Sequence, residues 1–174
     1  RHPLPFGEYL PMRDFLARYI KRFNQIPNDF VAGNKVGVFN VGDKKIGDVI
    51  CFEIANANLV FDTVAAGAQV MVVQTNNSTF GNSTQPGQQF AITRFRAIES
   101  QRAFLVASTS GISGLIRNDG EALSETAQFE SAIVTGEVEL ISEKTFVNRY
   151  PHWVLIVSII ILALGYRSSR GRKP

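Results

Sequence analysis

Hydrophobic and polar positions follow different periods along the first half of the chain. Residues 35–40 alternate, residues 44–50 turn apolar, and residues 68–74 form a continuous apolar run. Alternation indicates strands with one exposed face, whereas a continuous run is typical of a strand buried on both faces. A segment without Gly or Pro at residues 56–66 has helical character. The pattern therefore predicts an alternating α/β fold.

The remaining pattern predicts further elements. Two amphipathic helices are predicted, at residues 12–23 and 88–102. The inward faces would carry Phe15, Tyr19 and Ile20 or Phe23 in the first helix, and Phe90, Ala91, Phe95 and Ile98 in the second. Arg96 and Glu99 of the second helix form an i,i+3 pair. Strands are predicted at residues 104–107, 112–117, 122–124 and 131–141.

Three loops carry the candidate binding residues. Residues 2–11 contain three prolines and a glycine, so Glu8 lies on a stiff backbone, either solvated or aimed into a site. Residues 75–87 form a long polar loop after the apolar strand. Ligands of alternating α/β folds bind at such strand ends, so Asn76, Asn77 and Phe80 are candidate wall residues. A third loop, at residues 108–114, is rich in hydroxyl groups.

The carboxyl-terminal part differs in composition from the rest. Residues 150–166 contain no Asp, Glu, Lys or Arg, and Tyr150, Trp153 and Tyr166 suit membrane interfaces. We predict a transmembrane helix at residues 146–166, a basic cytoplasmic tail at residues 167–174, and an extracytoplasmic domain at residues 1–145. The alternative is a buried helix of a soluble protein, which nothing after it would cover. Because no signal peptide opens the chain, we expect an amino-terminal part to be missing.

Charge and composition exclude some classes of function. The net charge of +3 includes four basic residues among the last eight, which leaves the rest of the chain slightly acidic and argues against a nucleic-acid partner. Two histidines far apart in the sequence and a single cysteine argue against a metal site. We predict no cofactor.

Cys51 is the only cysteine, and it lies between a predicted strand and a predicted helix. At such a junction, helix amides can stabilise a thiolate and hold an oxyanion, and Glu53 could shape the same pocket. A free cysteine is also commonly a small buried hydrophobe, so the spacing alone leaves both roles open. In an extracytoplasmic domain, an odd thiol is more often reactive or paired with another molecule than incidental, which favours the nucleophile.

Several blocks together carry a family resemblance. They are His2-Pro-Leu-Pro-Phe-Gly-Glu-Tyr-Leu-Pro11, Ile50-Cys-Phe-Glu53, Thr75-Asn-Asn-Ser-Thr-Phe-Gly81, the Gln-rich helix with Arg94, Arg96 and Glu99, Ser108-Thr-Ser-Gly-Ile-Ser113, and the apolar carboxyl terminus. In this order they resemble the bacterial apolipoprotein N-acyltransferases, membrane members of the nitrilase, or carbon-nitrogen hydrolase, superfamily. The resemblance implies the carboxyl-terminal portion of a nitrilase-like αββα sandwich, followed by one transmembrane helix.

The resemblance also assigns roles. It implies that Cys51 is the nucleophile, that Glu8 matches a further essential glutamate, and that Glu53 matches the glutamate two residues after the cysteine. Substrate contacts are expected from Phe52, which stands where many members have tyrosine, and Thr79, where many have tryptophan, together with Asn76, Asn77 and Phe80. The family's lysine would fall immediately before Arg1, and its glutamate base earlier still.

The implied activity moves an acyl chain from a phospholipid through a cysteine thioester to the amino terminus of a diacylglyceryl-cysteine lipoprotein. The implied partners are the phospholipid donor, the lipoprotein acceptor and the bacterial inner membrane. Two alternatives remain: a membrane-anchored amidase or nitrilase acting on a small C–N substrate, and an inactive fragment or scaffold that needs its upstream half.

Overall fold

The computed structural model describes residue 3, residues 5–21 and residues 28–170, with the side chains of residues 168–170 left out. The predicted end of the first helix at residues 22–23, residues 24–27 of the loop that follows it, His2 and the end of the basic tail lie outside these described residues.

The described residues form one six-stranded sheet, with the strands in the order in which they occur along the chain. The strands are β1 (Gly37–Val41), β2 (Lys44–Ile50), β3 (Val70–Thr75), β4 (Phe104–Ser108), β5 (Gly114–Ile116) and β6 (Ala122–Glu125). β2, β3 and β4 are parallel neighbours, while β1, β5 and β6 pair antiparallel at the two edges. The parallel centre is connected by helices, as parallel neighbours require. The predicted α/β class is confirmed.

Five helices accompany the sheet in the described part of the chain. They are α1 (Arg13–Tyr19), α2 (Ala57–Ala65), α3 (Gln85–Ser100), α4 (Phe146–Arg149) and α5 (Trp153–Arg170). Asn56 caps α2, because its Oδ1 accepts hydrogen bonds from the amides of Asn58 and Leu59 at 3.1 and 3.4 Å. The cap starts the helix of the crossover from β2 to β3 five residues after the cysteine.

The core lies between α2, α3 and one face of the sheet. Its central side chains are Val49, Ile54, Val60, Val64, Met71, Val73, Phe104 and Ile116. Gly47 of β2 faces this layer, and a Cβ there would lie 2.4 Å from the Met71 sulfur and 2.7 Å from a Thr63 methyl group. The glycine therefore allows α2 to pack close to the strand that leads to Cys51. On the other face of the sheet, Phe39 is 57% and Leu105 38% exposed.

The strand predicted at residues 131–141 is wrong, because residues 130–145 have no regular secondary structure. Alternation of side chains creates a strand only where a neighbouring strand completes the hydrogen-bond ladder. This segment instead covers Leu115, whose methyl group would lie 2.5 Å from a Cβ at Gly136, and then returns to donate from the Ile141 amide to the Gln69 carbonyl.

The predicted inward faces of two helices also need correction. Phe15 and Tyr19 of α1 are 61% and 69% exposed, and no described part of the chain covers them. In α3, Phe90 is buried as predicted, but Phe95 and Ile98 are more than half exposed and Ala91 is exposed. The helix buries the stripe of Gln89, Thr93, Ala97 and Ser100 instead. Small side chains permit close packing of the helix. The buried hydroxyls of Thr93 and Ser100 are satisfied there, because they donate to carbonyls of their own helix.

The apolar carboxyl-terminal segment forms α5, and its side chains from Val154 to Tyr166 are exposed. Among the described residues, no helix combines the length and the apolar character needed to cross a membrane. Phe146, Tyr150 and Trp153 cluster where α4 leads into α5, with ring centroids 5.3 and 5.8 Å from that of Phe146.

Candidate active site

Cys51 occupies a sharp corner between β2 and a 3-10 turn at Cys51–Ala55. Its φ angle of 54° places it in the left-handed region, where a residue with a Cβ costs roughly 1–2 kcal/mol. Such strain persists only where the surrounding structure holds it, and it is common at functional sites. The Cys51 side chain is half-buried, and the thiol has no disulfide partner.

Glu53 stabilises this corner from inside. Its carboxylate accepts a hydrogen bond from the Ile50 amide at 2.7 Å, and the residue is only 4% exposed. The bond spans the strand end and the first turn, as in a capping box. Glu53 therefore acts on the shape of the cysteine corner rather than on the surface of the cavity described next.

A cavity of about 570 Å³ opens beside Cys51. Its lining consists of Pro5, Phe6, Gly7, Glu8, Cys51, Phe52, Thr79, Phe80, Gln85 and Gln88. The fold thus brings together five of the predicted site residues from three loops that are distant in sequence. Aromatic rings form much of the wall, while Glu8 and the two glutamines supply polar groups.

The two asparagines predicted as wall residues lie elsewhere. Asn76 is exposed, and its Oδ1 accepts from the Ser78 amide and the Thr109 hydroxyl. Asn77 is 3% exposed, and neither asparagine belongs to the cavity lining. In the described structure, both side chains shape the loop after β3 instead of facing the cavity.

Asn77 is part of a buried network that the sequence pattern does not reveal. Gln89 of α3 donates from Nε2 to the Cys51 carbonyl at 3.0 Å and to the Thr75 hydroxyl at 3.2 Å. Its Oε1 accepts from Asn77 Nδ2 at 2.7 Å, and Asn77 Oδ1 accepts from the Ser108 hydroxyl, also at 2.7 Å. In the sequence, Gln89 is one of three glutamines at residues 85–89, and its polar character gives no indication that it is buried. Its spacing of four from Thr93 and eight from Ala97 is the signal that could have placed it on the buried face.

Two further side chains connect α3 with the cysteine corner. The predicted pair of Arg96 with Glu99 is present, and Arg96 also donates to the carbonyls of Ile54 and Ala55 at 3.1 and 2.9 Å. The helix therefore holds both ends of the 3-10 turn, through Gln89 at Cys51 and through Arg96 at Ala55.

One carboxyl group near the site has a perturbed pKa. Burial raises the pKa of Asp48, a hydrogen bond from Gln74 partly opposes the rise, and the charge of Glu53 adds to it. Asp48 lies on β2, three residues before Cys51, and its side chain accepts from Gln74 Nε2 at 3.0 Å. The strand that leads to the cysteine thus also carries a poorly compensated charge.

The arrangement suits nucleophilic chemistry. A thiol at a strained corner beside an aromatic-walled cavity can attack an acyl carbonyl, and backbone amides of the turn can stabilise the resulting oxyanion. Within residues 3, 5–21 and 28–170, no group of three or more potential metal ligands occurs.

Comparison with known proteins gives a family match. The model of the carbon-nitrogen hydrolase family matches residues 1–144. The chain is 32% identical over 170 residues to the apolipoprotein N-acyltransferase of Geobacter metallireducens, covering 95% of this chain and 32% of that protein. It is 34% identical over 161 residues to the apolipoprotein N-acyltransferase of Mycolicibacterium smegmatis, covering 92% of this chain and 26% of that protein.

Solved structures agree with the fold. A crystal structure of an amidase from Nesterenkonia sp. is 21% identical, with a TM-score of 0.51 over 74% of this chain and 46% of that chain. A nitrilase-superfamily protein from Saccharomyces cerevisiae is 20% identical, with a TM-score of 0.50 over 58% of this chain and 40% of that chain. These likenesses confirm the nitrilase-like α/β fold.

Proposed function

The chain belongs to the carbon-nitrogen hydrolase family, and from this premise we propose that it is part of an apolipoprotein N-acyltransferase with Cys51 as the nucleophile. The observation that carries the proposal is the strained left-handed Cys51 at the mouth of an aromatic-walled cavity that also contains Glu8. The curated relatives named above support the acyltransferase reading over other members of the family.

In the first half-reaction, the Cys51 thiolate attacks the carbonyl carbon of a phospholipid acyl ester. A C–S bond forms, the carbonyl oxygen becomes an oxyanion, and backbone amides of the turn at Cys51–Ala55 stabilise it. The C–O bond then breaks, and the lysophospholipid leaves with the proton that a general base took from the thiol. The product is an acyl thioester on Cys51.

In the second half-reaction, the free amino terminus of a diacylglyceryl-cysteine lipoprotein attacks the thioester. An amide C–N bond forms, the C–S bond breaks, and the base takes the amine's proton, so that the Cys51 thiolate and the protonated base are regenerated. Phe6, Phe52 and Phe80 line the cavity and suit an acyl chain, because apolar walls favour the chain and exclude water. Thr79 stands beside them and would influence which chain fits.

The chain spans about a third of the length of the curated relatives it matches. We infer that the general base and the lysine that resemblance assigns to the family come from sequence preceding Arg1. Activity is therefore proposed for the protein that includes this upstream sequence.

We further propose a membrane attachment. Residues 146–166 would enter the bilayer, residues 1–145 would lie outside the inner membrane, and residues 167–174 would form a cytoplasmic tail. Support comes from the exposed apolar side chains of α5 and from the aromatic cluster of Phe146, Tyr150 and Trp153 at its beginning.

A second candidate is an amidase acting on a small C–N substrate. Glu8, Gln85 and Gln88 in the cavity lining favour it, because they could hold a polar substrate. The same thioester chemistry would apply, with water as the acceptor.

Intact mass spectrometry tests the choice between them. The protein with its native upstream sequence would be incubated briefly with phospholipid and no acceptor. We expect a mass gain of one acyl chain that hydroxylamine removes and that Cys51→Ala lacks. Hydrolysis of small amides by a preparation that never gains an acyl chain from phospholipid would replace the transferase with the amidase.

A further inference from the structure

We propose that Gln89 is a positioning residue for the cysteine corner, which it holds so that the Phe52 amide is aimed at the oxyanion. The inference rests on the proposed acyl chemistry at Cys51 but goes beyond it, because Gln89 itself is not part of the cavity lining. It would act only through the backbone of Cys51.

The contacts of Gln89 use its whole amide. Both Nε2 hydrogens are engaged, one with the Cys51 carbonyl and one with the Thr75 hydroxyl, and Oε1 accepts from Asn77. The side chain is 3% exposed, so water does not compete for these bonds. A buried amide with three partners has one orientation, because turning it over would place donors against donors.

The bond to Cys51 determines the direction of the next amide. A trans peptide is planar, so the carbonyl of Cys51 and the N–H of Phe52 point in opposite directions. The chain has no cis peptide bond in its described part. Because Gln89 holds the carbonyl toward the buried side, the Phe52 N–H is directed away from that side.

The left-handed conformation of Cys51 requires support, which the hydrogen bond from Gln89 provides. At φ 54°, Cys51 is in a region from which a residue with a Cβ relaxes unless neighbours hold it. Gln89 is held in turn by Asn77 and, through Asn77, by Ser108, whose hydroxyl also accepts from the Gly111 amide at 2.7 Å. The network therefore couples the peptide after Cys51 to the loops that follow β3 and β4.

The test compares two reactions of the same thiol. Acylation by p-nitrophenyl butyrate needs the oxyanion to be stabilised, whereas alkylation by iodoacetamide forms no oxyanion. In the protein with its native upstream sequence, Gln89→Met should slow acylation by about 10- to 100-fold. Alkylation should stay within about threefold of the wild-type rate, because thiol access and thiolate formation are retained.

Gln69→Met is the matched control. Gln69 also uses its amide in two bonds, with the Lys45 amide and the Ser142 hydroxyl, but at the opposite end of the sheet. Both rates should remain at the wild-type level in this variant. Gln89→Asn, which withdraws the amide by one methylene, provides the same comparison if Gln89→Met does not fold.

Equal loss of both rates, or no loss of acylation, would overturn the positioning role. Comparing acylation by p-nitrophenyl butyrate with acylation by phospholipid distinguishes a failure of this proposal from a failure of the proposed function. A wild-type protein that takes an acyl group from p-nitrophenyl butyrate but not from phospholipid disproves the phospholipid reaction and leaves the Gln89 comparison valid. A wild-type protein acylated by neither ester would overturn both.

Discussion

The two ends of the central sheet handle their polar groups in opposite ways. At the carboxyl ends of β2 and β3, Cys51 is strained, Asp48 is poorly compensated, and a cavity opens to solvent. At the other end, Arg102 is 1% exposed, and every hydrogen bond it makes goes to a backbone carbonyl. The first end borders a solvent-open cavity, whereas the second end buries a guanidinium and pairs it with backbone carbonyls.

Arg102 connects the opposite end of the sheet with the carboxyl-terminal segment through hydrogen bonds. Its guanidinium donates to the carbonyls of Ala68, Ser100, Gln101 and Glu143 at 2.9, 3.3, 3.1 and 2.7 Å. Asn148 adds a bond to the Ser100 carbonyl at 3.0 Å. Burial lowers the pKa of Arg102, and the charge of Glu143 partly offsets this. The difference between the ends indicates that stability and chemistry are assigned to separate parts of one sheet.

Removing the proposed nucleophile should have the largest effect on activity and little effect on stability. Cys51→Ala, made in the protein with its native upstream sequence, should lower turnover by about 10⁴-fold or more. The side chain lies at the cavity and is only half-buried, so its loss leaves little void. Acyl transfer and urea unfolding, measured on the same preparation, check this. Retained turnover would move the chemistry away from Cys51.

Arg102→Met should show the reverse. The variant leaves buried carbonyls without a donor, so we expect a loss of about 3 kcal/mol in the free energy of unfolding. The acylation rate per folded molecule should not change. Urea unfolding measures the first quantity, and single-turnover acylation the second.

Arg94→Met is the control, since Arg94 lies on α3, eight residues before Arg102, is exposed, and donates from Nε to the Gly120 carbonyl. Its cost should stay below about 1 kcal/mol. Equal costs for the two arginines would mean that burial of the guanidinium is not what stabilises this end.

The difference between the ends also explains what the sequence could predict. β1 to β4, α2 and α3 followed from local periodicity, because each element has one dominant buried face or a continuous apolar run. The strand predicted at residues 131–141 was wrong, because alternation of apolar and polar side chains does not indicate whether a neighbouring strand is present to pair with it. The inward face predicted for α3 was wrong at Phe95 and Ile98. Hydrophobicity alone gives these bulky apolar side chains more weight than the small and polar side chains that the helix buries.

Part of the site's geometry was predictable from residue types and family resemblance. The spacing of the lone cysteine left its role open, the resemblance added Glu8 and Phe52, and all three line the same cavity, while the role of Cys51 as nucleophile stays a prediction. Helical spacing could have placed Gln89 on the buried face of α3, but its bond to Cys51 could not be predicted, because the accepting carbonyl is distant in sequence and belongs to a residue in a left-handed conformation. Backbone groups of this kind leave no trace in side-chain patterns.

Strain at Cys51 predicts a smaller effect. Cys51→Gly should be more stable than Cys51→Ala by about 1 kcal/mol, because glycine reaches φ 54° without a Cβ clash. Both variants lack the thiol, so the comparison isolates the backbone. At Asp62, an exposed position within α2, the same pair should differ by about 1 kcal/mol in the opposite direction. Urea unfolding of all four variants gives both differences, and equal stability of the Cys51 pair would show that the corner is unstrained.

The smallest predicted effect concerns Asp48 and depends on pH. Because burial raises the folded-state pKa of Asp48 above the usual 3.8, the folded protein holds this proton more tightly than the unfolded chain. Stability from this group is therefore complete below the unfolded pKa and is lost as the pH rises through the folded pKa. Asp48→Asn should stabilise the protein at pH 7, and its advantage should shrink as the pH falls toward 4.

Asp43→Asn supplies the opposite sign on the same hairpin. A hydrogen bond from Lys44 lowers the pKa of the exposed Asp43, so its contribution is present above the unfolded pKa and is lost as the pH falls. At neutral pH this substitution should therefore weaken the protein slightly or leave it unchanged. Urea unfolding of both variants from pH 4 to pH 7 should give slopes of opposite sign. Parallel slopes would mean that the Asp48 charge is as well compensated as a surface carboxylate, and the contrast between the two ends would then rest on Cys51 alone.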